Sequence, residues 1–409
     1  MSELPSARRA APVGALFTAR LVYAINWYNI GAVLPLVGTG LNAGPAELGA
    51  VIGAFLLGVG LFQVPAGFAS IKYGARRVSL FGLVVLGATG VLSAFAPTWP
   101  ALAVIRFLAG VGAAFFFSPA LSLIASYYPP GRRGPVIGFY NGGFSVGGSV
   151  GLLGGAFLGE SFGWAATLGV GGALLLATTA VTWWILPRQE AEGSNRTIRQ
   201  LWDQGRPVLW SRSIWALSIG LVGFWGAVYA LAQYFVKYGN DARPEWGFGV
   251  AAALAAAVVI VSFPGGPVGG WLAERGRDRR YLAGAFAAGS GVLILLIPFL
   301  PLLPLTIDMI AIGFADGVVF SILYLIPSYL PESRGDGLAL GVGLVNSIQV
   351  GLGSGIAIAF GLTVAVAGYT VAWESVGLLS IGLVPLLLLV RPNRAERPSP
   401  AAAGETQAR

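Results

Sequence analysis

The chain has 409 residues, of which 56% are hydrophobic and only 10% are charged, and its mean hydropathy is +0.76. Soluble domains carry about 25% charged residues, so the composition excludes a soluble globular protein and predicts one embedded in a lipid bilayer. The absence of cysteine and histidine excludes disulfides, thiol nucleophiles and the common zinc sites. No cluster of catalytic side chains occurs either, so we expect no enzyme, no metal and no organic cofactor.

Apolar segments long enough to cross a bilayer occur twelve times along the chain. A hydrocarbon core of about 30 Å requires about 20 apolar residues per helix. The first six predicted spans are 13–38, 47–70, 78–97, 99–127, 135–159 and 163–186, and the second six are 213–236, 247–273, 281–300, 303–330, 336–366 and 371–390. The predicted fold is therefore an all-α membrane protein with twelve transmembrane helices.

A long polar stretch divides the spans into six and six. Residues 187–212 are predicted to form a cytoplasmic linker between an N-terminal six-helix bundle, 1–186, and a C-terminal six-helix bundle, 213–391. The segment 392–409 is rich in proline and alanine and is predicted to be a disordered tail.

The basic residues predict the orientation of the bundle. The net charge is +8, and with the N-terminus inside, 21 of the 25 lysines and arginines fall in cytoplasmic segments while two fall outside. Cytoplasmic loops are enriched in lysine and arginine, so we expect both termini in the cytoplasm and the chain in the plasma membrane. Because this placement accounts for the positive charge, no nucleic-acid partner is expected.

Two sequence patterns recur half a chain apart. GFASIKYGARR at 67–77 is echoed by GWLAERGRDRR at 270–280, and SYYP at 126–129 is echoed by SYLP at 328–331. Both pairs occupy matching positions in the predicted topology, which indicates a duplicated six-helix unit. Halves related by an axis along the membrane normal are typical of secondary transporters.

The repeated loop resembles a motif of the major facilitator superfamily, G-x-x-x-D-[RK]-x-G-x-[RK]-[RK]. The first copy matches it at Gly67, Lys72, Gly74, Arg76 and Arg77, and the second copy at Gly270, Glu274, Arg275, Arg279 and Arg280. The first copy has Ile71 at the acidic position, and the second has Arg277 in place of the inner glycine.

A second motif of the same family, R-x-x-x-G-x-G, matches the fourth span at Arg106, Gly110 and Gly112. The resemblance covers about residues 13–391. It implies alternating access between two halves, with spans one, four, seven and ten lining a central cavity and the repeated loops acting as cytoplasmic gates. The alternative for these loops is that their cations only anchor the topology.

Ionisable residues inside the predicted spans are the candidates for function, because charges in a membrane are costly and usually face a cavity or a partner. Asp316 is the candidate proton carrier, with a static ion pair to an arginine as the alternative. Arg20 is a candidate for substrate binding, or its side chain extends to the inner interface. Arg106 is a further candidate, or it bonds a neighbouring backbone or Asp308.

Polar and aromatic residues on the same predicted spans complete the candidate site. The predicted substrate-binding residues are Arg20, Tyr23, Asn26, Asn29, Arg106, Tyr229, Gln233, Tyr324 and Asn346. For each uncharged member the alternative is a packing contact between helices.

Two cavity arginines against one deep carboxylate favour a small anionic substrate. The predicted function is proton-coupled symport of a small organic anion such as a monocarboxylate, by a monomer whose partners are the substrate and the lipid bilayer. The alternatives are a proton-coupled exporter of amphipathic or cationic compounds, in which Asp316 holds the cation, and a carrier of a neutral solute such as a sugar. The proton is the expected coupling ion.

Overall fold

A computed structural model of the chain describes residues 10–128, 133–187, 206–275, 278–330 and 337–390, and every regular element in these ranges is helical. The first helices are α1 Ala10–Ala32, α2 Leu34–Gly40, α3 Pro45–Tyr73, α4 Ala75–Ser93, α5 Trp99–Ser126 and α6 Arg133–Ile185. The later helices are α7 Arg212–Ala242, α8 Gly247–Glu274, α9 Arg279–Leu296, α10 Leu302–Leu325 and α11 Gly337–Leu383. Short 3₁₀ turns follow at Pro244–Trp246, Ile297–Phe299, Ile326–Tyr329 and Val384–Leu389.

Within the described ranges, nine helices are long and apolar enough to cross a membrane, or ten if α1 and α2 form one bent span. The axes of α1 and α2 differ by 57°. Pro35 lies at the second position of α2 and has no backbone N–H to continue the hydrogen-bond ladder of α1. The first predicted span is thus a broken helix and not a straight one.

Two of the long helices each contain a single glycine joint. Gly163 in α6 has φ 82° and Gly368 in α11 has φ 84°, a left-handed conformation that glycine adopts without steric cost. We predicted connecting loops at 160–162 and 367–370; in the structure the helices on either side of each glycine are joined directly. Gly163 and Gly368 occupy equivalent places in the two groups of helices.

Close helix packing explains much of the glycine content. A Cβ atom on Gly110 of α5 would collide with the carbonyl oxygen of Phe55 in α3, and one on Gly58 would collide with that of Phe107. Gly317 of α10 has the same relation to the Ser262 carbonyl of α8. These contacts bring paired helices to backbone distance, as small residues do in membrane bundles.

Four pairs of helices make the main contacts between the described residues before 187 and those after 206. They are α3 with α11, α6 with α8, α1 with α7 and α2 with α7. Hydrogen bonds cross three of these contacts. Ser149 Oγ donates to the Ala256 carbonyl oxygen at 3.0 Å, Gln233 Nε2 to the Trp27 carbonyl oxygen at 3.1 Å, and Ser347 Oγ to the Gly60 carbonyl oxygen at 2.5 Å. Most of the predicted linker, residues 188–205, and the predicted tail lie outside the described residues.

Candidate functional site

A cavity of about 880 Å³ lies between the two groups of helices. Helices α1, α3, α5, α6, α7, α8, α10 and α11 all contribute to its wall. The expectation that the first, fourth, seventh and tenth spans line it holds for α1, α5, α7 and α10. The parts of α6 and α11 that follow Gly163 and Gly368 contribute none of the lining residues.

Arg20 of α1 lies in the cavity wall inside a cage of aromatic rings. Its guanidinium carbon is 4.4 Å from the ring centroid of Phe144, 4.6 Å from Phe117, 4.8 Å from Tyr23 and 5.5 Å from Tyr140. The residue is 4% exposed, and its Nε and Nη1 atoms have no hydrogen-bond partner. The cation therefore does not extend to the inner interface, and ring faces are its main neighbours.

Asp316 of α10 lines the same cavity. Among the described residues it forms no ion pair and no hydrogen bond. In this conformation Asp316 therefore forms no ion pair with a described arginine. Among the described residues, the cavity wall contains one cation, Arg20, and one carboxyl group, Asp316, and the two form no ion pair with each other.

Aromatic side chains of α1 and α7 form a continuous wall beside Arg20. Tyr23 packs on Trp27 with ring centroids 5.6 Å apart, and Trp27 meets Tyr229 edge-on at 6.4 Å. Tyr229 in turn stacks on Trp225 at 5.3 Å, with an angle of 4° between the ring planes. The predicted residues Tyr23 and Tyr229 thus lie on this wall.

The predicted pair Tyr324 and Asn346 is brought together on the cavity wall. The Tyr324 hydroxyl donates to Asn346 Oδ1 at 2.6 Å, which joins α10 to α11. Gln63 of α3 also lines the cavity and donates to the hydroxyl of Ser118. Neutral polar groups therefore face the cavity in addition to Arg20 and Asp316.

Four of the predicted binding residues lie away from the cavity. Asn26 donates to the carbonyl oxygens of Val22 and Gly171, at 3.0 Å and 2.8 Å, and so fastens α1 to α6. Asn29 is buried on the same side of α1, next to Gly171. Both asparagines make the packing contacts that were the alternative prediction.

Gln233 and Arg106 are also absent from the cavity wall. Gln233 is fully buried and bonds the backbone of α1 at Trp27. Arg106 is 2% exposed, its guanidinium lies 5.2 Å from the Phe55 ring centroid, and it forms no ion pair with the buried Asp308. In this conformation neither side chain can contact a molecule in the cavity.

The aromatic lining includes residues that we did not predict. Phe117, Phe144, Phe263 and Phe320 face the cavity, and Ser145 of α6 lies 3.0 Å from Ser262 of α8 across the wall. Phe320 lies four residues after the predicted residue Asp316, so the helical face of Asp316 would have indicated it. Phe144 lies three residues after Asn141, a cavity residue that we did not predict either. An apolar ring in a membrane span gives no other sign that it faces a cavity.

The repeated loops lie at the ends of helices. Gly74 has φ 87° and joins α3 to α4, while Gly67 and Gly270 have open space around them. Arg76 donates to the carbonyl oxygens of Trp183 and Leu186 at 2.8 Å and 3.2 Å, at the end of α6. A cation at a helix C-terminus satisfies carbonyl groups that have no partner within the helix.

The second loop repeats this arrangement. Arg280 bonds the carboxylate of Asp278 and the carbonyl oxygen of Val390, which ends the last turn of the described chain. Arg275 lies 3.6 Å from the ring centroid of Trp271. Lys72, Arg77 and Glu274 are exposed, and Arg279 is half-buried.

A bundle of long apolar helices around a partly polar cavity defines a membrane transport protein. A profile described as Major Facilitator Superfamily matches residues 16–348. The chain belongs to the major facilitator superfamily, whose members are transporters and not enzymes.

Characterised relatives and a solved structure agree with this assignment. The chain is 25% identical over 368 residues to the gallate transporter of Pseudomonas putida, covering 81% of this chain and 82% of the relative. It is 30% identical over 191 residues to the puromycin resistance protein pur8 of Streptomyces alboniger, covering 46% and 38%. A solved bacterial homologue of the human lysosomal transporter Spinster, inward-facing and unoccupied, has the same fold, with a TM-score of 0.68, 19% identity and 95% of each chain covered.

Proposed function

We propose that the protein is a secondary active transporter of twelve crossings that works by alternating access. Helices α6 and α11 have 53 and 47 residues, or about 80 Å and 70 Å at 1.5 Å per residue. Each is more than twice the hydrocarbon thickness, and each contains a non-helical glycine near its middle. Two crossings in each give six in the half 1–186 and six in the half 213–391.

The basic loops support a plasma-membrane orientation with both termini in the cytoplasm and 187–212 as a cytoplasmic linker. The cavity wall reaches Ile137 near the start of α6 and Leu325 at the end of α10, beside loops that carry arginine. At the other end, the Gln233–Trp27 bond and the close approach of α3 to α11 separate the cavity from the outside. The conformation is then one that opens to the cytoplasm.

The proposed activity is symport of a proton with a small organic anion such as a monocarboxylate. The observation that carries it is Arg20, a buried cation in the cavity wall with no anionic partner among the described residues. An uncompensated charge in a low-dielectric site favours a ligand of opposite charge. The gallate transporter among the relatives is named for an organic anion, which agrees with this proposal.

Asp316 is the proposed proton carrier. It faces the cavity without a cationic partner, so it can gain a proton from one side and lose it to the other as the halves alternate. No cofactor other than the proton is required, and the protein is proposed to act as a monomer in the lipid bilayer.

The repeated loops are the proposed cytoplasmic gates. Arg76 and Arg280 bond the ends of the last helix of their own half, through the carbonyls of Leu186 and Val390. These bonds hold each loop in place while the cavity is open. Closure on the cytoplasmic side would bring Lys72, Arg77 and Glu274, which are exposed here, towards the opposite half.

A second candidate activity is export of amphipathic or cationic compounds. The aromatic wall suits an apolar ligand, Asp316 could hold a cation, and one relative is a puromycin resistance protein. A neutral solute such as a sugar would instead use Tyr324, Asn346 and Gln63.

Uptake into proteoliposomes tests the proposal. Labelled benzoate and lactate are each offered to the proteoliposomes under an inward proton gradient. We expect at least one of them to accumulate. Asp316→Asn keeps the shape of the side chain but not its titration, so gradient-driven accumulation should be lost while exchange of internal for external anion persists. Accumulation unchanged in Asp316→Asn would contradict its role as proton carrier.

A cation control separates the two candidate activities. Tetraphenylphosphonium, a lipophilic cation, is offered to inside-out vesicles with an acidic lumen, so that protons leaving the lumen can drive the cation in. Gradient-driven transport of this cation with no transport of any anion would overturn the anion proposal and favour the exporter.

A further inference from the structure

We propose that the two halves rock unevenly. Helices α6 and α8 stay joined at a fixed hinge, and the cavity opens and closes on the side where α3 meets α11. This inference rests on the proposed alternating access and adds which pair of helices separates during transport. Two contacts between the halves carry it, because they differ both in their bonds and in their depth.

The contact between α6 and α8 lies near the middle of both crossings and contains directional hydrogen bonds. Ser145 Oγ lies 3.0 Å from Ser262 Oγ, and one turn further along α6 Ser149 Oγ donates to the Ala256 carbonyl oxygen at 3.0 Å. Ser262 Oγ donates its one proton to the Val259 carbonyl oxygen at 2.8 Å, so Ser145 is the donor to Ser262. These bonds, which we call the serine hinge, hold the two helices at one depth.

Outward of the serine hinge, the faces of α6 and α8 that carry it lose contact. Leu153 of α6 lies one turn outward on the same face and is 48% exposed. Gly249 of α8 lies two turns outward on the same face and has open space around it. Inward of the hinge the helices remain in contact, since a Cβ atom on Gly142 would lie 2.8 Å from Cδ2 of Phe263.

The contact between α3 and α11 has the opposite placing. A Cβ atom on Gly53 would lie 2.5 Å from Cγ1 of Ile358, and one on Gly60 would lie 2.6 Å from the backbone nitrogen of Gly351. These positions run from the outer half to the middle of α3. Gly67 lies two turns further inward on the same face and has open space around it. The two helices therefore touch along their outer halves and part along their inner halves.

These depths give the two contacts different roles. The α6–α8 contact extends inward, where the cavity is proposed to be open, so opening to the cytoplasm does not part these helices. Their outer ends are already apart, so opening to the outside does not require the serine hinge to break. The α3–α11 contact closes the outer end and must separate. Glycine against backbone suits a contact that separates, because no long side chains interlock there.

Paired cysteines test this division, because the native chain contains no cysteine. Ser145→Cys with Ser262→Cys places two sulfur atoms where hydroxyl oxygens 3.0 Å apart now lie. Gly53→Cys with Ile358→Cys places two at the α3–α11 contact. Side-chain rotation brings each pair to disulfide distance. Uptake of benzoate and lactate into proteoliposomes is measured after oxidation with copper phenanthroline and again after reduction with dithiothreitol.

Each comparison is made within one variant, so a direct effect of cysteine in the cavity wall cancels. We expect the disulfide of Ser145→Cys and Ser262→Cys to leave uptake the same as after reduction. The disulfide of Gly53→Cys and Ile358→Cys should abolish uptake until it is reduced. The single-cysteine variants are the matched controls and should not respond to oxidation. Mass spectrometry after alkylation establishes that each disulfide is complete.

A second pair of variants covers the case in which Gly53→Cys fails to fold. A Cβ atom on Gly31 of α1 would lie 2.9 Å from Cα of Gln233 in α7, at the end of the cavity that we propose to be closed. The disulfide of Gly31→Cys and Gln233→Cys should likewise abolish uptake until it is reduced. Monodispersity by size-exclusion chromatography in detergent establishes that each variant is folded.

The outcomes distinguish this inference from the proposed function. Reversible loss of uptake on oxidation of Ser145→Cys with Ser262→Cys would show that α6 and α8 move apart, and would overturn the fixed hinge while alternating access stands. Full uptake with the α3–α11 disulfide complete would overturn the proposed opening side. Absence of benzoate and lactate uptake in the wild type would instead overturn the proposed anion transport.

Discussion

At the scale of single residues, the cavity is defined by Arg20, a cation with no counterion among the described residues. Arg20 is buried among rings, whereas a buried arginine normally pairs with a carboxylate. The compensation comes from ring quadrupoles, which are worth about 2 kcal/mol or more each when desolvated. Rings stabilise the cation but leave its net charge in place, so the site retains affinity for an added anion.

Arg20 substitutions test this interpretation. Arg20→Gln removes the charge, and we expect kcat/KM for anion uptake to fall by at least about a hundredfold, the loss typical of a buried charge-assisted contact. Arg20→Lys keeps the charge but not the planar fork, so an intermediate loss is expected. The measurement is initial uptake rate against substrate concentration.

The control for these variants is Arg212→Gln, at the exposed start of α7 and away from the cavity. It should leave uptake unchanged. Wild-type uptake in Arg20→Gln would show that the anion is bound elsewhere.

The charged residues of the candidate site could be predicted from the sequence, but the side chains around them could not. Arg20 and Asp316 stand out because charges are rare in apolar segments. The cage residues Phe117 and Phe144 do not stand out, because phenylalanine is equally suited to lipid, to a helix contact and to a cavity. Asn26 and Gln233 looked like binding residues but satisfy backbone carbonyls of neighbouring helices.

At the scale of helices, glycine determines how closely the elements approach. Residues 55 and 110 bring α3 and α5 together so closely that a Cβ on Gly110 has no room beside the Phe55 carbonyl oxygen. Gly58 repeats the contact one turn along, against the backbone of Phe107. Because backbone cannot move aside as a side chain can, these positions tolerate only glycine.

Gly110→Val should therefore destabilise the protein. Overpacking of this kind typically lowers the free energy of unfolding by about 1 to 3 kcal/mol. Because the neighbouring atoms are backbone, we expect a loss towards the upper end of this range. We expect a lower melting temperature in detergent. The melting temperature is measured as the loss, on heating, of the fraction of protein that remains monodisperse. Gly154→Val on α6 is the control, since open space surrounds Gly154. Equal stability of the two variants would show that α3 and α5 separate at little cost.

At the scale of the whole molecule, hydrogen bonds between described residues join the two halves at the end of the cavity that we propose to be closed. Gln233 ties α7 to α1 at Trp27, and Ser347 donates to the Gly60 carbonyl oxygen between α11 and α3 at 2.5 Å. Alternating access requires these contacts to break while each half stays intact.

Gln233→Leu should shift the protein towards the outward-open state. Loss of a buried hydrogen bond between the halves is worth about 1 kcal/mol, or about a fivefold change in the equilibrium. The native chain has no cysteine, so a single Val228→Cys reporter in the cavity wall can be labelled with an impermeant thiol reagent. We expect faster labelling from the outside and slower labelling from the cytoplasmic side.

Gln349→Leu is the matched control for this shift. Gln349 Nε2 donates to the Ser218 carbonyl oxygen at 3.1 Å, the same bond length as in Gln233, but between α11 and α7 of one half. This change should lower stability without altering the side from which the reporter is labelled. The same labelling pattern in both variants would mean that Gln233 does not hold the closed end.

The membrane class, the superfamily and the positions of the charged residues within the apolar segments could all be predicted from the sequence. These features depend on composition and on local spacing, which are readable along the chain. Only the packing of the helices showed that Arg20 has an aromatic cage and that Asp316 has no cationic partner among the described residues. It also showed that Asn26, Asn29, Arg106 and Gln233 lie outside the cavity. The physical reason is that every face of a membrane helix is apolar, so hydrophobicity does not distinguish lipid, neighbour and cavity. Only the packing of the helices assigns each face.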